Sequence, residues 1–138
     1  MNLYINSPSY YTQRYGIIDE IYEMCLAISK KIDITSYTDA LDTIGITPII
    51  VPDSEKSDGQ WLECRKVSIP ARMASLSLCL DFERFYDADI NDKKIMILEN
   101  ILFSLSVVKK KLKERFDYKQ IHTDISEIGK QFVNKKIE

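Results

Sequence analysis

Five carboxylates lie close together near the middle of the chain, and two kinds of chemistry could use them. They are Asp81, Glu83, Asp87, Asp89 and Asp92. Paired carboxylates can act as general acid and base, or they can hold Mg²⁺, and both roles require an enclosed pocket. Asp89 and Asp92 precede a predicted helix, whose dipole favours negative charge at that end. Asp81 and Glu83 instead continue the alternation of a predicted strand, so we expect them on the open face of a sheet.

Histidine and cysteine, which also carry much enzyme chemistry, are few. The single histidine, His122, has no second histidine with which to form a metal site, and we interpret it as a partly exposed helical residue. Cys25 falls on the apolar stripe of a predicted helix and is interpreted as structural, whereas Cys79 is expected on the open sheet face. The four glycines are isolated, which argues against a phosphate-binding loop. We predict no catalytic residues, no metal and no cofactor.

A basic run from Lys109 to Arg115 could in principle hold phosphates. It lacks interleaved glycines and aromatic residues, and it closes a predicted helix whose C-terminal end favours cations, so we interpret it as a solvated face. Residues 109–138 carry nine Lys or Arg and five Asp or Glu, a net charge of +4. The whole chain has a net charge of −2, which leaves −6 for residues 1–108. We predict no direct binding of nucleic acid.

Predicted helices and strands position these groups. Apolar residues recur at three- and four-residue spacing in three segments, which predicts helices at 14–32, 91–115 and 118–134. Period-two alternation predicts four strands, at 2–6, 44–51, 61–69 and 73–82. The last two strands should form an antiparallel hairpin, and Asn91 is the predicted N-cap of the second helix. Pro48 lacks a backbone N–H, which favours an edge position or a bulge in the second strand. Residues 33–43 are predicted to be a loop with at most one helical turn.

The order of these elements is β-α-β-β-β-α-α, and the strands are mostly consecutive. We therefore predict an α+β fold, a two-layer sandwich in which three helices pack on one face of a mostly antiparallel four-stranded sheet. The first strand could pair in either direction. Alternation along the fourth strand assigns Leu76, Leu78, Leu80 and Phe82 to the covered face and Ser75, Ser77, Cys79 and Asp81 to the open one. With 138 residues the chain is predicted to be a single domain, 1–138.

The cellular location is predicted from what the sequence lacks. No apolar run approaches the roughly 20 residues that cross a bilayer, and the first residues, MNLYINSPSYY, do not resemble a secretion signal. Three widely spaced cysteines argue against a disulfide framework. We expect a cytoplasmic protein with no membrane contact.

Three stretches of the chain together resemble a known family. They are the first strand MNLYINS, the end of the hairpin RMASLSLCLDFERF, and the helical segment NDKKIMILENILFSLSVVKKKLKERFDYKQIHTDI. In order, length and hydrophobic texture the chain resembles the bacterial polymorphic-toxin immunity proteins, in particular the immunity protein 44 family, most strongly from Arg72 to Ile125. The resemblance implies a small cytoplasmic protein that binds the C-terminal domain of a cognate toxin and blocks it, as in contact-dependent inhibition, with no catalytic residues to carry over.

An open acidic face fits such a role, because many toxins of this kind are nucleases with basic active sites. Carboxylates on a rigid sheet would steer the toxin into place, and aromatic anchors would then hold it. The predicted partner-binding residues are Tyr4, Trp61, Glu63, Asp81, Glu83 and Asp87. Trp61 can equally be a core residue, and the protein can be a monomer or a weak homodimer.

Two other functions stay open from the residues alone. One is a small carboxylate-based or metal-dependent hydrolase that uses Asp81, Glu83, Asp87 and Asp89. The other is a nucleic-acid-binding adaptor that uses the basic run at 109–115. Titration with divalent cations separates the first from an inhibitor, and the salt dependence of nucleic-acid binding separates the second.

Overall fold

The computed structural model describes the backbone of residues 2–6, 9–10, 19–51 and 60–133, and the side chains of residues 2–6, 20–49, 65–80 and 84–133. This part of the chain forms five strands and four α-helices. In chain order they are β1 (Leu3–Ile5), β2 (Ser9–Tyr10), α1 (Asp19–Lys31), β3 (Thr43–Val51), β4 (Gln60–Ser68), β5 (Met73–Asp81), α2 (Phe82–Asp87), α3 (Ile90–Leu112) and α4 (Tyr118–Lys130).

The strands form one mixed sheet in the order β1-β3-β5-β4, and the two-residue β2 also pairs with β3. β1 and β2 run parallel to β3, and β3 runs parallel to β5, whereas β4 runs antiparallel to β5. The prediction of a mostly antiparallel sheet is therefore wrong, although the α+β class is confirmed. The β4–β5 hairpin is also confirmed, but β5 lies between β3 and β4, which follow each other in the sequence.

A salt bridge joins the starts of the parallel strands β3 and β5. Arg72, at the end of the β4–β5 turn, has a positive φ of 58°. Its carbonyl accepts a hydrogen bond from the Asp42 amide at 2.8 Å, and its Nε and Nη2 donate to the two carboxylate oxygens of Asp42, each at 2.9 Å. Asp42 directly precedes β3, and Arg72 directly precedes β5. The pair therefore holds the starts of the two strands side by side, with Thr43 opposite Met73.

Pro48 lies in an interior strand, so the edge position expected for β3 is wrong, and the register of β3 with β5 runs through Pro48 without a bulge. The Ile46 carbonyl accepts from the Asn6 amide at 2.9 Å, which shows that even-numbered residues of β3 direct their backbone groups toward β1. The pairing with β1 ends at Ile46, and the pairing with β2 begins at Ile49. Pro48 falls between these two pairings, where its missing N–H breaks no hydrogen bond of the described ladder.

The two faces of the sheet differ as the alternation predicts, with one exception. One face is buried, and its central side chains are Ile44, Ile46, Leu76, Leu78 and Leu80. On the other face Ser75 is exposed, and a Cβ added to Gly45 would meet nothing within 4 Å. Cys79 lies on this second face but is 0% exposed, so the prediction that it lies on an open surface is wrong. The open face therefore ends before the C-terminal part of β5.

The helices form a layer on the buried face. α1 packs along β1, α3 packs across β3, β5 and β4, and α4 packs against α1 and α3. The predicted number of three helices is wrong, because α2 follows β5 directly. α3 begins one residue before the predicted N-cap Asn91, and the N-cap is Asp89, whose carboxylate accepts from the Asp92 amide at 2.8 Å. Residues 14–18 of the first predicted helix lie outside the described residues.

A buried lysine and a short loop join the helices. Lys94 of α3 is paired with Glu20 of α1 at 2.8 Å and donates to the Phe132 carbonyl, just after α4, at 2.8 Å. A buried charge is tolerated when it is paired and hydrogen-bonded in this way.

Residues 33–42 are a loop with one 3₁₀ turn, as predicted, and the loop is tied to α4 by a hydrogen bond from Tyr37 Oη to Asp124 at 2.6 Å. Burial and this bond raise the pKa of Tyr37.

Candidate protein-binding surface

Two of the six predicted partner-binding side chains are described, and both are exposed. Tyr4 lies on β1 and is 45% exposed. Asp87 ends α2 and is exposed. The side chains that lie outside the described residues are those of Trp61, Glu63, Asp81 and Glu83. For these four residues the structure gives the position of the backbone.

The fold brings some of the predicted residues together and separates others. Asp81 ends β5, and Glu83 and Asp87 lie in α2, so three predicted carboxylates follow one another at one end of the sheet. Trp61 lies on β4, which pairs with β5 near the same end. Tyr4 lies on β1, at the opposite edge of the sheet. The predicted residues therefore do not form one continuous patch.

α2 is held against the core by one aromatic side chain. Phe85 is 1% exposed, and Lys93 Nζ of α3 lies 5.7 Å from the centroid of its ring, within the range of a cation–π interaction. Successive residues of a helix point about 100° apart, so the burial of Phe85 turns its neighbours away from the core. Tyr86 is accordingly 50% exposed, and Asp87 is exposed beside it.

The carboxylates that follow α2 serve the start of α3. Asp89 caps the helix through the Asp92 amide, and its own carbonyl accepts from the Lys93 amide at 2.9 Å. Asp92 lies in the first turn and is exposed, where it interacts favourably with the helix dipole. The interpretation of Asp89 and Asp92 as helix-start charges is therefore confirmed.

A cleft opens between α2 and α3 beside these residues. Its volume is about 300 Å³, and it is lined by Arg84, Ala88, Asp92, Ile95, Met96 and Glu99. Ile95, on the outer side of α3, is 37% exposed. We define the α2–α3 surface as five exposed residues: Asp92, Ile95 and Glu99 of α3, which line the cleft, and Tyr86 and Asp87 of α2, which lie outside it. It combines two large side chains with apolar area and three carboxylates.

The basic run has a structural part and an exposed part. Lys109 Nζ donates to the carbonyls of Lys113 and Phe116, at 2.8 and 2.9 Å, and so satisfies backbone groups beyond the end of α3. Lys110 and Lys111 are exposed. The interpretation of the run as a solvated face thus holds for part of it only.

The exposed part of the basic run lies beside β4. A second cleft, of about 410 Å³, is lined by Arg65, Lys66 and Val67 of β4 and by Val107, Lys110 and Lys111 of α3. Arg65 and Lys66 are absent from the functional residues predicted from the sequence. In the sequence they are only two adjacent cations within an alternating strand. The residues around them do not indicate that α3 places Lys110 and Lys111 nearby.

The described residues offer little for catalysis. They contain no group of three or more His, Cys, Asp or Glu side chains placed to hold a metal ion. Burial raises the pKa of the Cys25 thiol to about 12, so the thiol stays protonated at neutral pH, in agreement with its structural interpretation. His122 is exposed and meets the Tyr118 ring edge-on at a centroid distance of 5.6 Å. No helix among the described residues has the length and apolar character needed to span a membrane.

Comparison with known families decides between the classes of function. The model of the immunity protein 44 family matches residues 1–131 of this 138-residue chain. The chain belongs to the immunity protein 44 family. The resemblance seen in the sequence is therefore confirmed, and the match extends from the first strand through the whole of the fourth helix. No curated protein and no solved structure matches the chain significantly.

Membership of the immunity protein 44 family implies a role against a toxin, with the toxin protein as partner. Immunity proteins are generally not enzymes. The candidate site is therefore a surface that binds the toxin protein. Among the described residues, the α2–α3 surface is the best candidate, because it exposes an aromatic and an aliphatic side chain among carboxylates.

Proposed function

We propose that this immunity protein neutralises its toxin by forming a one-to-one complex in which the α2–α3 surface occludes the toxin's active site. The observation that carries the proposal is the exposure of Tyr86, at 50%, next to Asp87 on α2, together with the exposure of Ile95, at 37%, on the same cleft-lining side of α3 as Asp92 and Glu99. Large side chains with apolar area, surrounded by polar ones that exclude water around them, are typical of the energetic centre of a protein interface.

The support beneath this surface favours tight binding. Tyr86 is adjacent to the buried Phe85, and Ile95 is adjacent to the nearly buried Met96. Both exposed side chains therefore start from helices that are fixed to the core. A tyrosine has two main side-chain torsions, so it provides a large contact area for a small loss of conformational entropy. Pre-organisation of this kind lowers the free-energy cost of association.

The charge of the surface leads us to propose a nuclease as the toxin. A nuclease holds phosphates with cations, and Asp87, Asp92 and Glu99 would complement those cations. Such complementarity raises the association rate and weakens at high salt. Asp81 and Glu83 stay predicted contacts of the same interface, because their backbone positions lie at the same end of the sheet.

The remaining predicted contacts fit the proposal to different degrees. Trp61 and Glu63 lie on β4, the neighbour of β5, and we propose them as contacts at the margin of the interface. Tyr4 lies on the far edge strand, so a toxin would reach it only by spanning the sheet. We further propose that the protein acts in the cytoplasm, within a polymorphic toxin system, as a monomer or weak homodimer.

Truncation of the two exposed side chains tests the proposal. The partner is the C-terminal domain of the toxin encoded beside this protein, in a catalytically inactive form. We expect the double variant Tyr86→Ala, Ile95→Ala to raise the Kd at least about 100-fold, because truncation of one central interface residue typically costs about 2 kcal/mol. Isothermal titration calorimetry gives both the Kd and the one-to-one stoichiometry, and a toxin-expression assay gives the loss of protection.

Tyr22 provides the matched control. It is 46% exposed on α1, close to the exposure of Tyr86, but it does not belong to the α2–α3 surface. We expect Tyr22→Ala to leave the Kd unchanged within about twofold, as for a residue outside the interface. Equal losses in both variants, or full protection by the double variant, would contradict the proposed surface.

A further inference from the structure

The cleft between β4 and α3 is a second surface with features of a binding site. We call it the basic cleft, and its lining residues are Arg65, Lys66, Val67, Val107, Lys110 and Lys111. Four of the six are cations, and they come from two elements far apart in the sequence. Val67 is partly buried and Val107 is 8% exposed, so the cations surround an apolar base.

The cations of the basic cleft differ from the cations that stabilise the fold. Arg72, Lys94 and Arg115 each pair with a carboxylate, at 2.8 to 3.2 Å. None of the four cleft cations forms an ion pair or a side-chain hydrogen bond with the described residues. Like charges held near one another repel, and a bound anion would remove that repulsion.

The backbone beside the cleft can pair with another strand. In the described part of the chain β4 pairs with β5 alone and forms an edge of the sheet. An edge strand presents unpaired N–H and C=O groups, to which an extended peptide can add by main-chain hydrogen bonds. Arg65 and Val67 lie on the helix side of the sheet, and Lys66 lies on the other side, as their pairing with Leu76, Ala74 and Ser75 shows.

We propose that the basic cleft binds an acidic segment of a partner protein in extended conformation, added alongside β4. Alternate carboxylates of the segment would meet Arg65, Lys110 and Lys111 on the helix side of the sheet, and the side chains between them would lie on the other side, beside Lys66. This inference goes beyond the proposed toxin complex. Asp92 and Lys110 are 18 residues apart on α3, which places the basic cleft about 27 Å from the α2–α3 surface at 1.5 Å per residue.

An acidic protein segment fits the cleft better than a nucleic acid. Among the described side chains, the lining residues include no aromatic ring on which a base could stack. The whole chain has a net charge of −2, so a polyanion much longer than the cleft would be repelled by the rest of the protein. The edge of β4 also offers backbone groups in the pattern of a peptide, which a nucleic acid cannot match.

Fluorescence anisotropy with a synthetic peptide tests the proposal. The probe is a labelled peptide of alternating Glu and Val of about eight residues, a typical strand length. We expect it to bind the full-length protein, and we expect Arg65→Glu with Lys110→Glu to weaken binding at least about tenfold through lost attraction. The control, Lys30→Glu with Lys31→Glu, makes the same change of charge at exposed positions of α1 and should change the Kd by less than about twofold.

Two further probes test the pairing of the segment with β4 and the preference of the cleft for a peptide over a nucleic acid. Methylation of alternate backbone nitrogens of the peptide should abolish binding if the segment pairs with β4, and unchanged binding would refute the extended mode. A single-stranded oligonucleotide of about eight nucleotides should bind more weakly than the peptide, and tighter binding would identify a nucleic-acid site instead.

If the peptide does not bind at all, the proposal is refuted, and the cations then serve only to protect the edge strand from pairing. If the double variant fails to fold, Lys110→Gln with Lys111→Gln replaces it.

Discussion

The two ends of α3 carry opposite charges, and only part of that charge is explained by the helix itself. At the N-terminal end Asp89 caps the helix, and at the C-terminal end Lys109 bonds to the carbonyls that follow it. A helix dipole favours both arrangements. Neither role accounts for the exposed Tyr86 at one end or for the convergence of Arg65 with Lys110 at the other. Charged residues at the ends of a helix are therefore weak evidence of a binding site. They become stronger evidence when a neighbouring helix or strand places further exposed residues close to them.

The largest effect is expected where the fold supports the α2–α3 surface. Replacement of Phe85 with Ala removes a side chain that is 1% exposed, and we expect the free energy of unfolding to fall by about 3 to 5 kcal/mol. Toxin binding should weaken as well, because α2 loses its anchor. Phe103, which is 48% exposed on α3, is the matched control, and Phe103→Ala should cost about 0.5 kcal/mol or less. Urea unfolding measures both, and similar losses in the two variants would refute the assigned role of Phe85.

A smaller effect is expected when the charge of the α2–α3 surface is reversed. Asp87→Lys with Asp92→Lys should slow association with the toxin domain by about tenfold at low salt, because the variant repels the cations of a nuclease. The loss should shrink as salt rises toward about 1 M, where charges are screened within a few ångströms. Stopped-flow fluorescence gives the rates. Lys110→Glu with Lys111→Glu, at the other end of α3, should not slow association, and an equal effect there would remove the distinction between the two ends.

The smallest effect concerns the ion pair between Asp42 and Arg72 at the starts of β3 and β5. The Arg72 guanidinium lowers the pKa of Asp42 below its usual value, so the pair contributes stability above the unfolded-state pKa of about 3.9. That contribution is lost as the pH falls through the lower pKa of the folded state. We expect Asp42→Asn to lower the Tm slightly at pH 7 and to leave it unchanged near pH 2. A difference in Tm that persists at pH 2 would show that the charge of Asp42 is not responsible.

Local sequence patterns predict the faces of the elements better than their arrangement. Period-two alternation identifies the buried leucines of β5, and helical spacing identifies Cys25 as a core residue. The order of the strands instead brings together residues that are far apart in the sequence, such as Asp42 and Arg72, which are 30 residues apart. Alternation also continues through Phe82 and Glu83, and it conceals the start of α2. A six-residue helix has too few residues to establish a period of its own.

The candidate surfaces were predictable only in part for the same reason. The carboxylates around Asp87 are adjacent in sequence, so their shared location follows from the chain itself. Ile95 and Glu99 join them because α3 packs beside α2, and Arg65 meets Lys110 because α3 crosses β4. Such meetings are properties of tertiary packing, and no spacing within one element indicates them.

Hydrogen–deuterium exchange of the complex tests the central claim most directly. Amide exchange is measured for the protein alone and for its one-to-one complex with the inactive toxin domain. We predict that the strongest new protection falls in residues 84–99, which include most of α2 and the first turns of α3, while α1 is unchanged. Protection that leaves residues 84–99 unchanged and falls on α1 or on the open sheet face around Ser75 would contradict the account.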